Sequence, residues 1–263
     1  MLKLSDILDI STKVSTKIKK VMRDNKIDIN SVTGMGASGT PTHLVDSIAE
    51  KVILKELERL SESPTILSEE AGTIEGKDDY YVIIDPIDGT TNALSDIPFY
   101  STSIAVGKDD LLGIEKGVVR NLVTDDIYYS VKGEGAFYNG NQIFTRKFNR
   151  ENYLIYIYAG KYQSPSVLKA IQNGGKVRAL GSSALEICSL AAGYGDLFYM
   201  NNVNQKTNIR VIDIAAASLI LREAGGMLFD VEGNILNMPF SLDIRKPIIA
   251  VGDTKALHEV FGL

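Results

Sequence analysis

The segment that most restricts this chain is Tyr81-Val-Ile-Ile-Asp85-Pro-Ile-Asp88-Gly-Thr90-Thr-Asn92. An apolar run of the kind buried inside a sheet stops abruptly in two carboxylates and a set of turn formers. Asp85 should therefore stand at a strand end, where the backbone is well ordered yet solvent can enter. Pro86 fixes the turn, and Asp88 can come back to the same side as Asp85. Two carboxylates held that close repel one another unless a cation lies between them. Oxygen-only donors favour Mg²⁺ or another hard ion. If a helix begins at Gly89 and Thr90, their backbone N–H groups form a phosphate cradle. An Asp-Gly pair alone would be an ordinary turn. So many special residues in one window ask for a common cause.

Two further clusters join it. Leu67-Ser68-Glu69-Glu70-Ala71-Gly72 follows a short apolar stretch. Adjacent glutamates are usually just solvated, but beside the Asp85/Asp88 segment Glu69 becomes a third metal carboxylate. Val211-Ile212-Asp213-Ile214-Ala215-Ala216-Ala217 precedes SLILREAGG. Asp213 sits at the mouth of an apolar helix, where aspartate is a common cap. The alanines let that helix pack closely and hold Asp213 rigidly.

The rest of the chain supplies the scaffold. Apolar spacing predicts helices over 3–23 and 42–60, separated by a flexible loop with Gly34, Gly36, Gly39 and Pro41. Strands are expected at 65–67, 80–84, 100–106, 113–119, 127–131, 136–138 and 153–158. Helices at 164–172 and 183–192, a strand at 196–200 and a helix at 213–223 follow. Strands near 227–230 and 247–251 and a short helix close the chain. Strands that do not alternate regularly with helices predict a layered α+β sandwich, not a Rossmann or barrel fold. The polar stretch 145–152 suggests two halves, 1–148 and 149–263, the second carrying Asp213 and the specificity residues.

Composition excludes several functions. With 263 residues and 44% hydrophobic content the chain can bury a sizeable core. Its 28 basic and 33 acidic residues give a net charge of −5 with no dense basic block, which argues against nucleic-acid binding. An acidic chain can still bind phosphate where metal ions reverse the local sign. Cys188 is the only cysteine, and His43 and His258 are the only histidines, so disulfides and histidine-rich zinc sites are not expected. The amphipathic start carries Asp6 and Asp9 and lacks a signal peptide's apolar core. No run approaches the roughly 18 apolar residues of a membrane span. A cytoplasmic protein is expected.

DPIDGTTN, LSEEAG, GEGAFYNG and IDIAAASLILREAGG, in their order along the chain, resemble the inositol monophosphatase family. That family lies within the wider superfamily of lithium-sensitive, magnesium-dependent phosphatases that includes fructose-1,6-bisphosphatase. The resemblance covers about residues 35 to 230, and GMGASGTPTHLVD is most similar to the archaeal dual-specificity branch. It implies that Glu69, Asp85, Asp88 and Asp213 bind metal, with the Ile87 carbonyl as a further ligand. Gly89 and Thr90 would hold phosphate through backbone N–H. The Thr90 hydroxyl and Asp46, which lies 23 residues before Glu69, would position or deprotonate the attacking water. The implied cofactor is Mg²⁺, two ions or three, and the implied assembly a homodimer. Ser38 stands where the archaeal branch carries an aspartate for the third ion, and Ile212 replaces the usual tryptophan. The expected reaction is hydrolysis of inositol 1-phosphate or fructose 1,6-bisphosphate by metal-activated water, with no covalent intermediate. Arg178, Lys206 and Arg210 are the candidate substrate contacts. Lys206 lies seven positions before Asp213, where inositol-selective members carry an acid, and a cation there suits a second phosphate. The competing readings are a phosphatase for another small phosphate, such as a phosphoadenosine nucleotide, a non-catalytic metal or metabolite sensor, and a metal-free structural protein.

Overall fold

Helix α1 (Leu4–Met22) buries a stripe of Ile7, Ile10, Val14, Ile18 and Val21, spaced three or four residues apart. Each such side chain gains about 1.5–3 kcal/mol on leaving water. That is well above the roughly 0.7 kcal/mol per residue that helix propensity spans, so packing sets the helix's orientation. Helix α2 (Leu44–Leu57) lies beside it and buries Val45, Ala49, Ile53 and Leu57. The computed structural model describes all residues except Asn25, Ser38, Thr40, Asn173 and Gly174. The expectation concerning Ser38 lies outside the described residues.

A hairpin of β1 (Val32–Met35) and β2 (Pro41–His43) precedes α2. The large sheet has eight strands: β3 (Thr65–Ser68), β4 (Gly72–Ile74), β5 (Tyr81–Asp88), β6 (Ser101–Gly107), β7 (Ile114–Asn121), β8 (Ile127–Val131), β9 (Ala136–Tyr138) and β10 (Asn141–Ile143). Their spatial order is β10-β9-β8-β7-β6-β5-β3-β4. Only the β3–β5 pairing is parallel. The small sheet is built from β11 (Leu154–Ile157), β12 (Lys176–Arg178), β13 (Leu197–Met200), β15 (Met227–Phe229) and β17 (Ile248–Val251), in the order β12-β11-β13-β17-β15. A separate two-stranded ribbon joins β14 (Ile209–Arg210) to β16 (Arg245–Lys246). The remaining helices are α3 (Thr90–Leu94), α4 (Pro165–Gln172), α5 (Ser183–Ala191) and α6 (Val211–Glu223).

Strand alternation distributes these elements into layers. On β5, Val82 and Ile84 pack with Val14, Val45 and Ile53 of α1 and α2, while Ile83 packs with α5 and α6 on the other face. The second sheet continues the order. Phe198, Met200, Ile248 and Ala250 face α5 and α6, whereas Leu197, Tyr199, Ile249 and Val251 pack on Val167 and Ala170 of α4. The result is an α+β sandwich with α5 and α6 as its central layer. The alanines of α6 explain how closely that layer packs. A Cβ added to Gly117 of β7 would lie 2.8 Å from the Ala216 carbonyl, so neither surface has room for a larger side chain.

Residues 145–152 fall between the last strand of the large sheet and the first of the small one. The core nevertheless runs through α5 and α6 into both sheets. Two local expectations need correction. The glycine-containing stretch expected as a loop forms the β1–β2 hairpin; all four residues of β1 are exposed, so no burial alternation marked it. Helix α6 begins at Val211, two residues before Asp213. Asp213 therefore lies inside the first turn and accepts the Arg210 N–H at 2.7 Å.

Candidate metal centre and phosphate cradle

The end of β5 holds its two carboxylates on one face by a backbone irregularity. Asp85 pairs with Ser103 and Asp88 with Ser101. Three steps on β5 thus match two on β6, the mark of a β-bulge. Pro86, which has no N–H to donate, falls in the bulge. Ser101 and Ser103 share a face of β6, so both aspartates turn toward the layer of α5 and α6.

Two other elements bring carboxylates to the same place. Glu69 follows β3 on a turn fastened by Glu50 of α2, whose Oε1 accepts from Ser68 Oγ at 2.5 Å and from the Ala71 N–H at 2.8 Å. Asp213 comes from the first turn of α6. Carboxylate oxygens of Glu69, Asp85 and Asp213 all lie within 4.8 Å of one another. Burial and the neighbouring Glu69, Asp88 and Asp213 raise the Asp85 carboxyl well above the usual range. Asp85 Oδ1 is buried with no hydrogen-bond partner. A buried carboxylate oxygen left bare is costly, and a hard divalent cation among three carboxylates removes that cost. This donor set fits magnesium chemistry.

Arg210 supplies a positive charge in this cluster. Its Nη2 lies 2.5 Å from Glu69 Oε1 and 2.7 Å from Asp213 Oδ1, and its Nε lies 3.1 Å from Asp213 Oδ1. One guanidinium leaves the three carboxylates incompletely neutralised.

Asp88 is engaged differently. Its Oδ1 accepts the Ser183 N–H at 3.1 Å and its Oδ2 the Ala184 N–H at 2.9 Å, with the Ser182 hydroxyl also donating to Oδ2. It therefore occupies the N-terminus of α5, where a negative charge is favoured. Burial still pushes its carboxyl up to about 7.

The turn that follows is built for close approach. Gly89 has φ +93°, and a Cβ there would lie 3.0 Å from the Gly181 carbonyl, so glycine is required twice over. Asn92 donates to the carbonyls of Phe99 at 2.7 Å and Leu180 at 2.6 Å, tying the turn to the segment before α5. Thr90 Oγ1 lies 2.9 Å from Asp46 Oδ1 and 3.0 Å from the Ile87 carbonyl. Asp46 sits in the first turn of α2, and its other oxygen accepts the His43 N–H at 3.2 Å. Burial raises the Asp46 carboxyl to about 6.

These groups border a cavity of about 400 Å³, also lined by Tyr158, Leu180, Met200, Asn208 and Arg245. The hairpin β1–β2 is tethered close by. The Ala37 N–H donates to the Glu70 carbonyl at 3.1 Å, and the Thr42 hydroxyl donates to the Glu70 carboxylate. Burial raises Glu70 to about 7.

Of the sequence candidates, Glu69, Asp85, Ile87, Asp88, Gly89, Thr90, Arg210 and Asp213 line the cavity, and Asp46 touches Thr90. Arg178 is exposed and turns its guanidinium to its neighbour's carbonyl at Val177. Lys206 is exposed on a 3₁₀ turn. Neither is among the residues lining the cavity. The sequence reading passed over Glu50, Glu186 and Arg245. Glu186, a lone charge in the apolar stretch SALEICSL, could have been found from that contrast.

Sheets layered this way define a scaffold of the sugar-phosphatase type, and it carries an acidic cluster beside a helix-opening turn. Residues 3–261 match the model of the inositol monophosphatase family, and the chain belongs to that family. It is 34% identical over 248 residues to the fructose-1,6-bisphosphatase/inositol-1-monophosphatase of Methanothermobacter thermautotrophicus, which covers 88% of this chain and 86% of that one. It is also 34% identical over 287 residues to the bifunctional NADP phosphatase/NAD kinase of Methanococcus maripaludis, which covers 98% of this chain and 49% of that protein. The chain thus spans about half the length of this bifunctional relative. The crystal structure of an inositol monophosphatase–fructose 1,6-bisphosphatase superposes with a TM-score of 0.86 at 30% identity, over 100% of this chain and 99% of the other.

Proposed function

We propose that this chain is a magnesium-dependent phosphomonoesterase acting on a small phosphorylated sugar or polyol, with inositol 1-phosphate and fructose 1,6-bisphosphate as the reference substrates. The observation that carries the reading is the meeting of Glu69, Asp85 and Asp213 around the unpartnered Asp85 Oδ1. Glu69, Asp85 and Asp213 would hold Mg²⁺, with Asp88 and the Ile87 carbonyl adjoining. Bound there, the ion supplies charge neutralisation for the phosphate and acidifies a water.

The chain's own groups account for the rest of the chemistry. Thr90 Oγ1 can give its proton to Asp46 and accept a hydrogen bond from a water, so Asp46 takes up a water proton through the hydroxyl. The first N–H groups of α3 have no partner within the helix, and a phosphate at Gly89 and Thr90 would satisfy them. Leu180 and Met200, with the Tyr158 ring, border the space left for the alcohol part.

The test is phosphate release from inositol 1-phosphate and fructose 1,6-bisphosphate with and without Mg²⁺. Release that depends on Mg²⁺ and disappears in Asp213→Asn supports the proposal; wild-type protein that releases phosphate from no phosphomonoester at saturating Mg²⁺ would sink it. Among the described residues no helix is long and apolar enough to cross a membrane. A cytoplasmic homodimer is part of the same proposal, resting on the family.

A further inference from the structure

Strands β14 and β16 place Arg210 directly opposite Arg245. Opposed residues on an antiparallel pair point to the same face, and like charges there are destabilising. The two arginines differ in how that cost is met. Arg210 has Glu69 and Asp213. Among the described residues, Arg245 takes part in none of the ion pairs. Its one hydrogen bond there is a long one, from Nη1 to the Asn208 carbonyl at 3.4 Å. A guanidinium carries five N–H donors in a fork matched to phosphate. Arg245 is half-buried and lines the cavity that Arg210 and Asp213 also line. Its charge is thus brought into the site against a like charge, and the carboxylates that act on it, Asp213 and Glu69, are those Arg210 already engages.

From this geometry we infer that Arg245 binds a second phosphate of the substrate, remote from the phosphoester that is cleaved. This rests on the phosphatase reading above and adds the residue that would favour, among its substrates, a phosphomonoester bearing another phosphate group. The cavity then has two poles. Glu69, Asp85 and Asp213 form the acidic pole that takes the ion and the scissile phosphate, and Arg245 forms the basic wall for the remote one. The role that the family resemblance suggested for Lys206 moves to Arg245, since Lys206 is exposed and is not among the residues lining the cavity. Two sources offer this chemistry: a sugar bisphosphate, and a dinucleotide such as NADP⁺, whose 2′-phosphate would be cleaved while its diphosphate meets the arginine.

The experiment compares wild type, Arg245→Gln and Arg245→Lys on inositol 1-phosphate, fructose 1,6-bisphosphate and NADP⁺ at fixed Mg²⁺. Arg245→Gln should raise KM at least tenfold for fructose 1,6-bisphosphate, for NADP⁺ or for both, leave kcat within about twofold, and leave inositol 1-phosphate unchanged. Arg245→Lys should recover part of the loss. The substrate whose KM moves identifies the source. A merely structural role would instead lower turnover of all three substrates together and reduce the melting temperature; either that pattern or an unchanged KM for both phosphate-rich substrates overturns the inference. Calorimetric titration of fructose 1,6-bisphosphate into the Ca²⁺-loaded protein separates the two proposals. If no substrate is turned over, binding of fructose 1,6-bisphosphate, or of NADP⁺ titrated in the same way, that is weakened tenfold by Arg245→Gln still supports the arginine's role, and unchanged or undetectable binding of both refutes it.

Discussion

Asp88 Oδ2 accepts the Ala184 N–H at 2.9 Å, so the end of β5 is fastened to the first turn of α5 by a carboxylate that also borders the acidic cavity. Asp85, three residues earlier, has no such support for its Oδ1. The two aspartates should therefore respond oppositely to neutralisation. In metal-free buffer at pH 8, Asp88→Asn turns an amide NH₂, itself a donor, toward the donors of Ser182, Ser183 and Ala184, and a buried donor left without its acceptor costs about 1–3 kcal/mol. At about 2–4 °C per kcal/mol for a chain of this size, its melting temperature should fall by several degrees. Asp85→Asn removes a buried, poorly compensated charge, and its metal-free melting temperature should stay the same or rise. Both variants should lose Mg²⁺-dependent activity. A parallel fall in metal-free stability for both would show that the Asp85 carboxylate has support the structure does not provide.

The crowding of acids predicts an unusual dependence of stability on pH. Burial raises Asp46 to about 6, Glu70 and Asp88 to about 7, and Glu186 to about 8. Each is raised above its unfolded value, so the native state binds more protons than the unfolded state between about pH 4 and 8. Stability then falls as pH rises through that window. Without metal, the protein should melt at a higher temperature at pH 5.5 than at pH 8. Saturating Mg²⁺ should raise the melting temperature more at pH 8, because protons compete with the ion for the same oxygens. Thermal scans at the two pH values, in chelator and in Mg²⁺, measure both slopes; a metal-free protein more stable at pH 8 contradicts the electrostatic account.

The pairing of Thr90 with Asp46 at 2.9 Å makes a kinetic prediction. If Asp46 receives the water proton through the hydroxyl, Asp46→Asn and Thr90→Ala should each lower kcat by about 10²–10⁴ with little change in KM. Thr90→Ser keeps the hydroxyl and should retain most of the rate. Asp46 must be ionised to accept a proton, so activity should fall as the pH drops through its pKa. Without a metal ion that value is about 6, raised chiefly by burial, and a bound cation nearby moves it lower. A pH–rate profile shows the acidic limb, and an unaltered limb in Asp46→Asn would remove Asp46 from the proton path.

What the sequence makes legible is local along the chain. Asp85, Asp88, Gly89 and Thr90 announce themselves because a core strand and a special turn adjoin within one window. Glu69 and Asp213 needed that window as context, since a glutamate pair and a helix-capping aspartate are each commonplace. The second use of Asp88 was hidden, because its partners Ser183 and Ala184 lie 95 and 96 residues away. Arg245 was hidden for a different reason. Its strand has two residues, too few for any periodicity, and its partner strand lies on the far side of α6 in the chain. Arg178 and Lys206 drew notice as cations near motifs, but spacing along the chain does not tell which way a loop side chain turns.

Glu186 gives the last prediction. It is 2% exposed in an apolar helix, and its Oε1 accepts the Leu180 N–H at 2.9 Å. Burial pushes its carboxyl up to about 8, so at neutral pH most of it is protonated and needs no ion partner. Glutamine has nearly the shape of the neutral acid and keeps an oxygen for the Leu180 N–H. Glu186→Gln should therefore hold the melting temperature at pH 7 within a few degrees of wild type. Glu186→Ala leaves that N–H without its acceptor and opens a void, at a cost of about 1–3 kcal/mol for the buried donor alone. Its effect should reach the site, because Leu180 receives Asn92 and the carbonyl of Gly181 abuts Gly89. We expect Glu186→Ala to melt several degrees lower and to lose activity, and Glu186→Gln to keep both. Glutamine and alanine variants that lose stability equally would mean that the carboxylate's charge, and not its hydrogen bond, is what the loop requires.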